Sequence, residues 1–243
     1  MLRSWSVRIS LFAVLLWVLG PLLSMVGLLP GIYGFMLYGL GGLVGFLGVV
    51  AGIIAAVRGR TRQGLVAVGI GLAVMVAVVT PRFLAGNAPP INDITTDLED
   101  VPAFTQAQSQ PENRERNLGY PEEFKPVVRD FYKDLQPLRV GAAPDAVFQQ
   151  ALALAREQPR WQVTAVDPQA RTFEGVVETR LFRFRDDFVV RIRPDGEGTR
   201  VDMRSKSRVG RGDLGANGQR IALFLQALGA RVGAGAEKAG AAH

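Results

Sequence analysis

The chain contains no cysteine and a single histidine, which is its last residue, His243. The lack of cysteine excludes disulfides, thiolate catalysis and cysteine-based metal sites. A lone histidine at a chain end also argues against histidine-based catalysis and against zinc centres. We therefore expect the protein to carry no cofactor.

Charge of both signs is missing from most of the first 84 residues, which hold no Asp, Glu, Lys or His and only six arginines. Three long apolar runs fill this part, at residues 7–29, 32–57 and 65–84. Each is about as long as the ~20 residues that an α-helix needs to cross hydrocarbon. The first run is too long for a typical signal-peptide core and lacks a cleavage site, so we expect it to be retained. The sequence predicts a transmembrane domain over residues 1–84.

The positions of the arginines predict how these helices are oriented. Five of them flank the predicted spans on one side: Arg3, Arg8, Arg58, Arg60 and Arg62. Only Arg82 lies on the other side. Because basic residues favour the cytoplasmic face, we expect a multi-pass protein of the cell (inner) membrane. Its N-terminus would be cytoplasmic and its C-terminal part periplasmic.

A glycine row marks the second run, and its members fall on one helix face: Gly34, Gly41, Gly45, Gly48 and Gly52. Small residues let helix backbones approach closely in lipid. The row predicts tight packing within the three-helix unit. The alternative is a homo-oligomer seam through Gly41, Gly45, Gly48 and Gly52. A transport pathway is disfavoured, because such pathways carry polar groups at mid-membrane.

The net charge of +6 comes entirely from the six membrane-flanking arginines, because 22 basic and 22 acidic residues remain in the rest of the chain. The high isoelectric point therefore does not indicate a nucleic-acid-binding protein. The expected partners are the lipid bilayer and an anionic lipid or envelope protein.

Residues 85–137 are rich in proline, which prevents long helices, and they form the segment that we call the tether. Ile91, Ile94, Leu98 and Phe104 are expected to anchor the tether on a domain surface. A short helix is predicted near residues 122–135.

Residues 138–230 predict a compact α+β domain in which a helix precedes a four-stranded antiparallel sheet and a second helix follows it. The first helix begins at Pro144 and ends before Pro159. The four strands are expected at residues 161–166, 172–179, 188–193 and 199–209. The last helix covers residues 214–228, with Asp213 as its cap. One sheet face would pack and the other would be open to water, and residues 231–243 are expected to be a flexible tail.

Three motifs resemble the family called domain of unknown function 1499, an uncharacterised family often joined to a few transmembrane helices. They are P-P-I-N-D-I-T-T-D at 89–97, D-D at 186–187 and V-D-M-R-S-K-S-R-V-G-R-G-D-L-G-A-N at 201–217. The resemblance covers about residues 88–230. It supports the domain boundary and implies no activity, cofactor or catalytic residue.

The most chemically dense surface is the polar side of the last two strands with the helix start that follows. Basic side chains and a helix N-terminus together suit a phosphate or carboxylate. The candidate ligand-binding residues are Arg191, Arg193, Arg204, Lys206, Arg208 and Asn217. The alternative is a cross-strand salt-bridge lattice, in which Glu174, Glu178 and Asp202 neutralise the same face.

Two groups of carboxylates are weaker candidates. Asp93, Asp97 and Glu99 belong to an oxygen-rich stretch that suits a hard cation, although turns and caps explain the stretch as well. Asp186 and Asp187 suit a paired acid/base site, or a turn before a strand.

The favoured function is a non-enzymatic, membrane-anchored module whose extracytoplasmic domain binds a polar lipid, an envelope component or a partner protein. One alternative is an envelope hydrolase or transferase that uses carboxylates Asp186, Asp187 or Asp213. Another is a structural accessory subunit held by the glycine row. The sequence does not favour catalysis.

Overall fold

The computed structural model describes residues 4–240, so Arg3 and His243 lie outside the described residues. The chain divides into two units. One contains the chain up to Gly86 together with Thr179–Phe184, and the other contains Asn87–Glu178 and the chain from Arg185 onward.

The first unit contains three helices, α1 (Trp5–Met25), α2 (Gly31–Val57) and α3 (Thr61–Leu84). Each is long and apolar enough to cross a membrane. Their bounds match the predicted runs to within a few residues. The chain is therefore a membrane protein, as the sequence predicted.

The glycine row of α2 packs against the other two helices of this unit. A Cβ atom at Gly41 would lie 2.8 Å from the backbone nitrogen of Trp17 in α1. A Cβ at Gly52 would lie 2.7 Å from the carbonyl oxygen of Gly64 in α3. Only a residue without a side chain fits such contacts. The glycines therefore serve the packing of the three helices, and a homo-oligomer through them stays a prediction.

The second unit is an α+β domain, as predicted, but its sheet has six strands instead of four. The strands are β1 (Asp93–Thr95), β2 (Leu138–Val140), β3 (Trp161–Asp167), β4 (Thr172–Glu178), β5 (Arg185–Asp195) and β6 (Gly198–Ser207). All pairings are antiparallel in the order β1-β6-β5-β4-β3, and β2 pairs with the same edge of β6 as β1. The helices of this unit are α4 (Phe124–Phe131), α5 (Pro144–Glu157) and α6 (Ala216–Gly240).

Helices α5 and α6 pack on the predicted apolar face of the sheet. Phe188, Val190 and Met203 from the sheet are fully buried there. Asp213 caps α6 as predicted, since its carboxylate accepts hydrogen bonds from the backbone N–H groups of Gly215 and Asn217, both at 2.8 Å. However, α6 continues past Leu228 to Gly240, so the predicted loose tail is helical up to that residue.

The opposite face of the sheet is covered, so the prediction that it is open to water was wrong. The tether crosses it, and the Glu174 carboxylate accepts hydrogen bonds from the backbone N–H groups of Thr105 (2.6 Å) and Ala107 (2.8 Å). Glu174 is only 2% exposed and Arg204 also 2%. Charged side chains on this face, such as Glu174 and Arg204, provide hydrogen-bond partners for backbone groups of the tether.

Candidate functional site

The covered face holds an ion-pair group centred on Asp93 of β1. Arg204 binds both oxygens of this carboxylate, with Nε–Oδ1 at 2.9 Å and Nη2–Oδ2 at 2.8 Å. Lys206 adds a third contact, Nζ–Oδ2 at 2.8 Å. The Arg204 guanidinium also lies 4.6 Å from the ring centre of Phe104 and 5.3 Å from that of Tyr120. Every nitrogen of Arg204 has a protein acceptor, because Nη1 and Nη2 donate to tether carbonyls as well.

A second group surrounds Asp187 of β5. Arg208 donates to its carboxylate at 2.6 Å and Arg116 at 3.0 Å, and the Asn113 amide contacts it at 3.1 Å. The neighbouring Asp186 instead pairs with Arg220 of α6 at 2.6 Å. The two carboxylates therefore point to opposite faces of the sheet. They do not converge on one substrate, which an acid/base pair requires.

A third group, the strand-end cluster, consists of Asp97, Asp202, Arg191, Arg193 and Arg200. Arg193 and Arg200 contact Asp202 at 2.8 and 2.9 Å, and Arg200 contacts Asp97 at 2.7 Å. Burial opposes ionisation of Asp97, but hydrogen bonds from the Asp100 and Glu99 backbone and the charge of Arg200 outweigh it, so its pKa lies below its ordinary value. Burial likewise opposes the charge on Arg193, yet the Asp202 carboxylate raises its pKa.

Beside the strand-end cluster lies a cleft of about 720 Å³, which we call the strand-end cleft. Its charged lining comes from the tether, β2, β5 and β6. The basic members are Arg129, Lys133, Arg139, Arg193 and Arg200, and the acidic members are Asp97, Glu99 and Asp100. Asp195 pairs with Arg139, and Asp202 pairs with Arg193 and Arg200, so the four arginines of the lining are all engaged in ion pairs. The Lys133 ammonium group makes no ion pair with the side chains that the structure describes, those of residues 4–233.

A larger cleft of about 840 Å³ lies beside the β3–β4 turn. Its carboxylates are already engaged, since Asp167 accepts hydrogen bonds from the backbone N–H groups of Gln169 and Ala170. Glu174 holds the tether as described above. The remaining charged residue of the lining, Arg191, is paired with Asp97 and Asp202.

The start of α6 contains a buried polar network rather than an open anion site. Asn217 is fully buried and accepts a hydrogen bond from Ser205 at 2.7 Å while it donates to Ser207 at 2.9 Å. Asp213 occupies the helix N-terminus with its own carboxylate. Burial, opposed by the hydrogen bonds from Asn217 and Gly215, raises the pKa of Asp213 above its ordinary value.

The geometry of the second unit can be compared with known proteins. A family model described as "Protein of unknown function (DUF1499)" matches residues 93–228. The chain belongs to the DUF1499 family. Comparison with curated proteins and comparison with solved structures each found no match.

The DUF1499 match begins at the first residue of β1, which the sequence analysis had assigned to the tether. The match therefore includes the tether that crosses the sheet. Since Ile91 and Ile94 belong to the same core as Phe188 and Phe224, the tether and the sheet form one structural unit.

The structure distributes the six predicted ligand residues of the DUF1499 domain over four places. Arg191 and Arg193 lie in the strand-end cluster; Arg204 and Lys206 contact Asp93. Arg208 contacts Asp187, and Asn217 lies in the network at the start of α6. These residues do not surround one ligand-sized space, and among them only Arg193 lines the strand-end cleft.

The weak metal candidates are also separated. Asp93 binds Arg204 and Lys206, Asp97 belongs to the strand-end cluster, and Glu99 contacts Arg129 at 3.3 Å. Within the described residues no three such ligands come together in a metal-like arrangement.

Sequence reasoning missed most of the basic lining of the strand-end cleft. Arg200 continues the even-numbered polar series of β6 and is paired with Arg193 across the strands, so the alternation was a sufficient signal for it. Arg139 pairs with Arg200 through β2. That strand has only three residues, which is too short for a recognisable pattern.

Proposed function

We propose that this DUF1499 protein is a membrane-anchored binding module that holds an anionic group in the strand-end cleft. The observation that carries the proposal is the unpaired Lys133, which lies in a cleft whose four arginines are each held in place by carboxylates of the protein. Phosphate and carboxylate oxygens are the natural acceptors for such a lining. The proposed ligands are polar lipids or envelope components that carry one of these groups.

The proposed location of the domain is outside the cytoplasm. It is supported by the arginines next to the helices, which follow the positive-inside pattern. Alkaline phosphatase fused after residue 243 should be active in intact cells. A fluorescent protein fused at the same position should give no cytosolic signal. A cytosolic reporter signal would overturn this part of the proposal.

Binding is favoured over catalysis because the candidate carboxylates are occupied. Asp186 and Asp187 lie on opposite sides of β5 and are each bound to arginine, and Asp213 caps a helix. A carboxylate held in this way has no free proton-transfer role without a rearrangement.

The ligand site can be tested with the full chain in phosphatidylcholine nanodiscs. Glycerol phosphate and a short oligogalacturonate would be titrated separately by calorimetry, to distinguish phosphate from carboxylate ligands. The variant Lys133→Glu reverses the unpaired charge at an exposed position. Arg156→Glu makes the same change on the exposed side of α5, outside the cleft.

Lys133→Glu should weaken binding of the preferred anion by roughly tenfold, which is about 1.4 kcal/mol, and Arg156→Glu should leave it unchanged. Equal affinities for both variants, or no binding of either anion to the parent protein, would contradict the proposed site.

A further inference from the structure

The connection between β4 and β5, Thr179–Phe184, lies within the DUF1499 match but belongs to the membrane unit, whereas its two strands belong to the other unit. Its sequence is Thr-Arg-Leu-Phe-Arg-Phe, which combines three large apolar side chains with two arginines. Neither the sequence motifs nor the proposed function accounts for it.

The aromatic rings of this connection pack on α2 near its first turns. The ring centre of Phe182 lies 5.4 Å from that of Phe35 and 5.7 Å from that of Tyr38. Phe184 lies 6.0 Å from Phe35. No side chain fits at Gly31, because a Cβ there would collide with the carbonyl oxygen of Phe182. The backbone of the connection is thus in direct contact with the start of a membrane-spanning helix.

The length of α2 indicates how deep in the membrane these contacts lie. Its 27 residues make a helix of about 40 Å, and the hydrocarbon core is about 30 Å thick. A centred helix therefore extends about 5 Å beyond the hydrocarbon at each end. Tyr38 is seven residues from Gly31, or about 10 Å along the axis. Tyr38 and the ring that packs on it consequently lie in the outermost part of the hydrocarbon, about 5 Å inside its boundary.

At this depth the apolar side chain of Leu181 is exposed, and it lies between Arg180 and Arg183 in the sequence. Leu181 is 53% exposed, and the neighbouring side chains of α2 are also open, with Tyr33 at 56% and Met36 at 59%. Arg180 is exposed directly beside Leu181. Aromatic rings and arginines next to an apolar tip are typical of segments at the membrane interface, where the guanidinium reaches headgroup phosphates.

We propose that Thr179–Phe184 is an interfacial membrane anchor whose exposed Leu181 inserts among phospholipid acyl chains on the side of the α1–α2 turn. Phe182 and Phe184 hold the connection on α2, and Arg180 lies at the level of the phosphates. The occupant of this apolar tip is lipid, because the surface is continuous with the lipid-facing side of α2. The anchor is independent of the strand-end cleft.

The lack of native cysteine allows a direct test on the full chain. Leu181→Cys would carry a single fluorescent label at an exposed position, in phosphatidylcholine vesicles that contain nitroxide lipids. Ala170→Cys is the matched control, since it is exposed at the tip of the β3–β4 turn, at the other end of β4. Nitroxides at the headgroup, near the top of the acyl chain and near its methyl end report depth, and iodide in the buffer reports exposure to water.

The label at position 181 should lose most fluorescence to the nitroxide near the top of the acyl chain and little to iodide. The label at position 170 should show the reverse. Equal quenching of both labels by iodide would place the tip in water and overturn the anchor. A label at 181 that neither lipid nor iodide quenches would show that protein covers the tip, and would overturn it as well.

Discussion

Asp93 and Arg204 form a two-point ion pair in which the side chains are 0% and 2% exposed. The pair joins the strand at the start of the DUF1499 match to the last strand of the sheet. Lys206 contacts the same carboxylate, so two cations share one buried anion. The arrangement fastens the tether to the sheet by charge, with two aromatic rings closing over the guanidinium.

Breaking this pair should strongly destabilise the DUF1499 domain. Arg204→Met leaves the tether carbonyls and Asp93 without their main donor, and loss of one partner of a buried pair costs about 3–5 kcal/mol. Arg204→Lys keeps the charge but loses the second contact and the stacking, so its effect should be intermediate. Urea unfolding can be followed by the fluorescence of Trp161, whose ring packs 4.6 Å from that of Phe188.

The control for this experiment is Arg129→Met. Its pair with Glu99 is exposed, with side chains at 60% and 86%, and such pairs contribute at most about 1 kcal/mol. An Arg204→Met protein as stable as this control would show that the tether is held by its apolar anchors alone.

The packing of the membrane helices predicts a contrast between two glycines of α2. Gly52→Leu forces a side chain against the backbone of Gly64, and overpacking of this kind costs about 1–3 kcal/mol or more. Gly39→Leu should be tolerated, since a Cβ at Gly39 meets no atom within 4 Å. Melting temperatures in detergent would measure both. A Gly39→Leu protein that melts earlier than Gly52→Leu would contradict the packing, and would point to a partner on the Gly39 side.

Asp213 and Asp97, whose pKa values are shifted in opposite directions, predict pH effects of opposite sign. The pKa of Asp213 is raised on folding, so the folded state binds its proton more tightly. As the pH falls from neutral through this raised pKa to the ordinary value of 3.8, the parent protein should gain stability relative to Asp213→Asn. The pKa of Asp97 is lowered. The stability that ionised Asp97 contributes is complete above pH 3.8, its ordinary pKa. This stability should be lost as the pH falls through the lowered pKa of the folded state.

Urea midpoints of the parent, Asp213→Asn and Asp97→Asn proteins across this pH range would measure both effects. Asparagine keeps the side-chain oxygen that caps a helix or turn, so the comparison isolates ionisation. Parallel pH profiles for all three proteins would show that neither carboxyl group changes its proton affinity on folding.

A buried hydroxyl group provides a further prediction. The Tyr132 hydroxyl is inaccessible to water and has no hydrogen-bond partner among the described residues. Burial, with a smaller effect of the Asp213 charge, raises the pKa of Tyr132 to about 12. Tyr132→Phe removes an unsatisfied polar group and should leave stability unchanged or increase it, because such a group costs about 1–3 kcal/mol when buried.

Thr199→Val is the matched comparison for Tyr132→Phe. The Thr199 hydroxyl donates to the Ala142 carbonyl at 2.6 Å, and its removal should cost about 0.5–1.5 kcal/mol. If Tyr132→Phe proved as destabilising as Thr199→Val, the tyrosine hydroxyl would have to be bonded in solution.

The sequence predicts those parts of the structure that repeat a pattern over many residues. The three apolar runs, the alternation in β5 and β6, and the apolar stripe of α5 are of this kind. By contrast, β1 and β2 have three residues each, and three residues show no period. They pair with β6 only because distant parts of the chain come together.

Alternation also does not show what lies on top of a sheet face. It correctly separates Arg191 and Arg204 from the apolar side chains, but whether water or the tether meets them depends on long-range contacts. The strand-end cleft has the same origin, since Lys133, Arg139 and Arg193 come from three separated segments. The connection at Thr179–Phe184 is also a short segment between two strands, and its place in the membrane unit depends on contacts with the distant helix α2.

Strand β6 is bordered on one edge by β5 and on the other by both β1 and β2. Asp93 and Lys206, which meet on that second edge, are 113 positions apart. At synthesis rates of about 5–20 residues per second, the segment around β1 therefore waits roughly 6–23 s for its partner strand to be made. During that interval it lacks both the backbone ladder with β6 and the counter-charges of Arg204 and Lys206, so it should be open to a protease or chaperone that acts on the nascent chain.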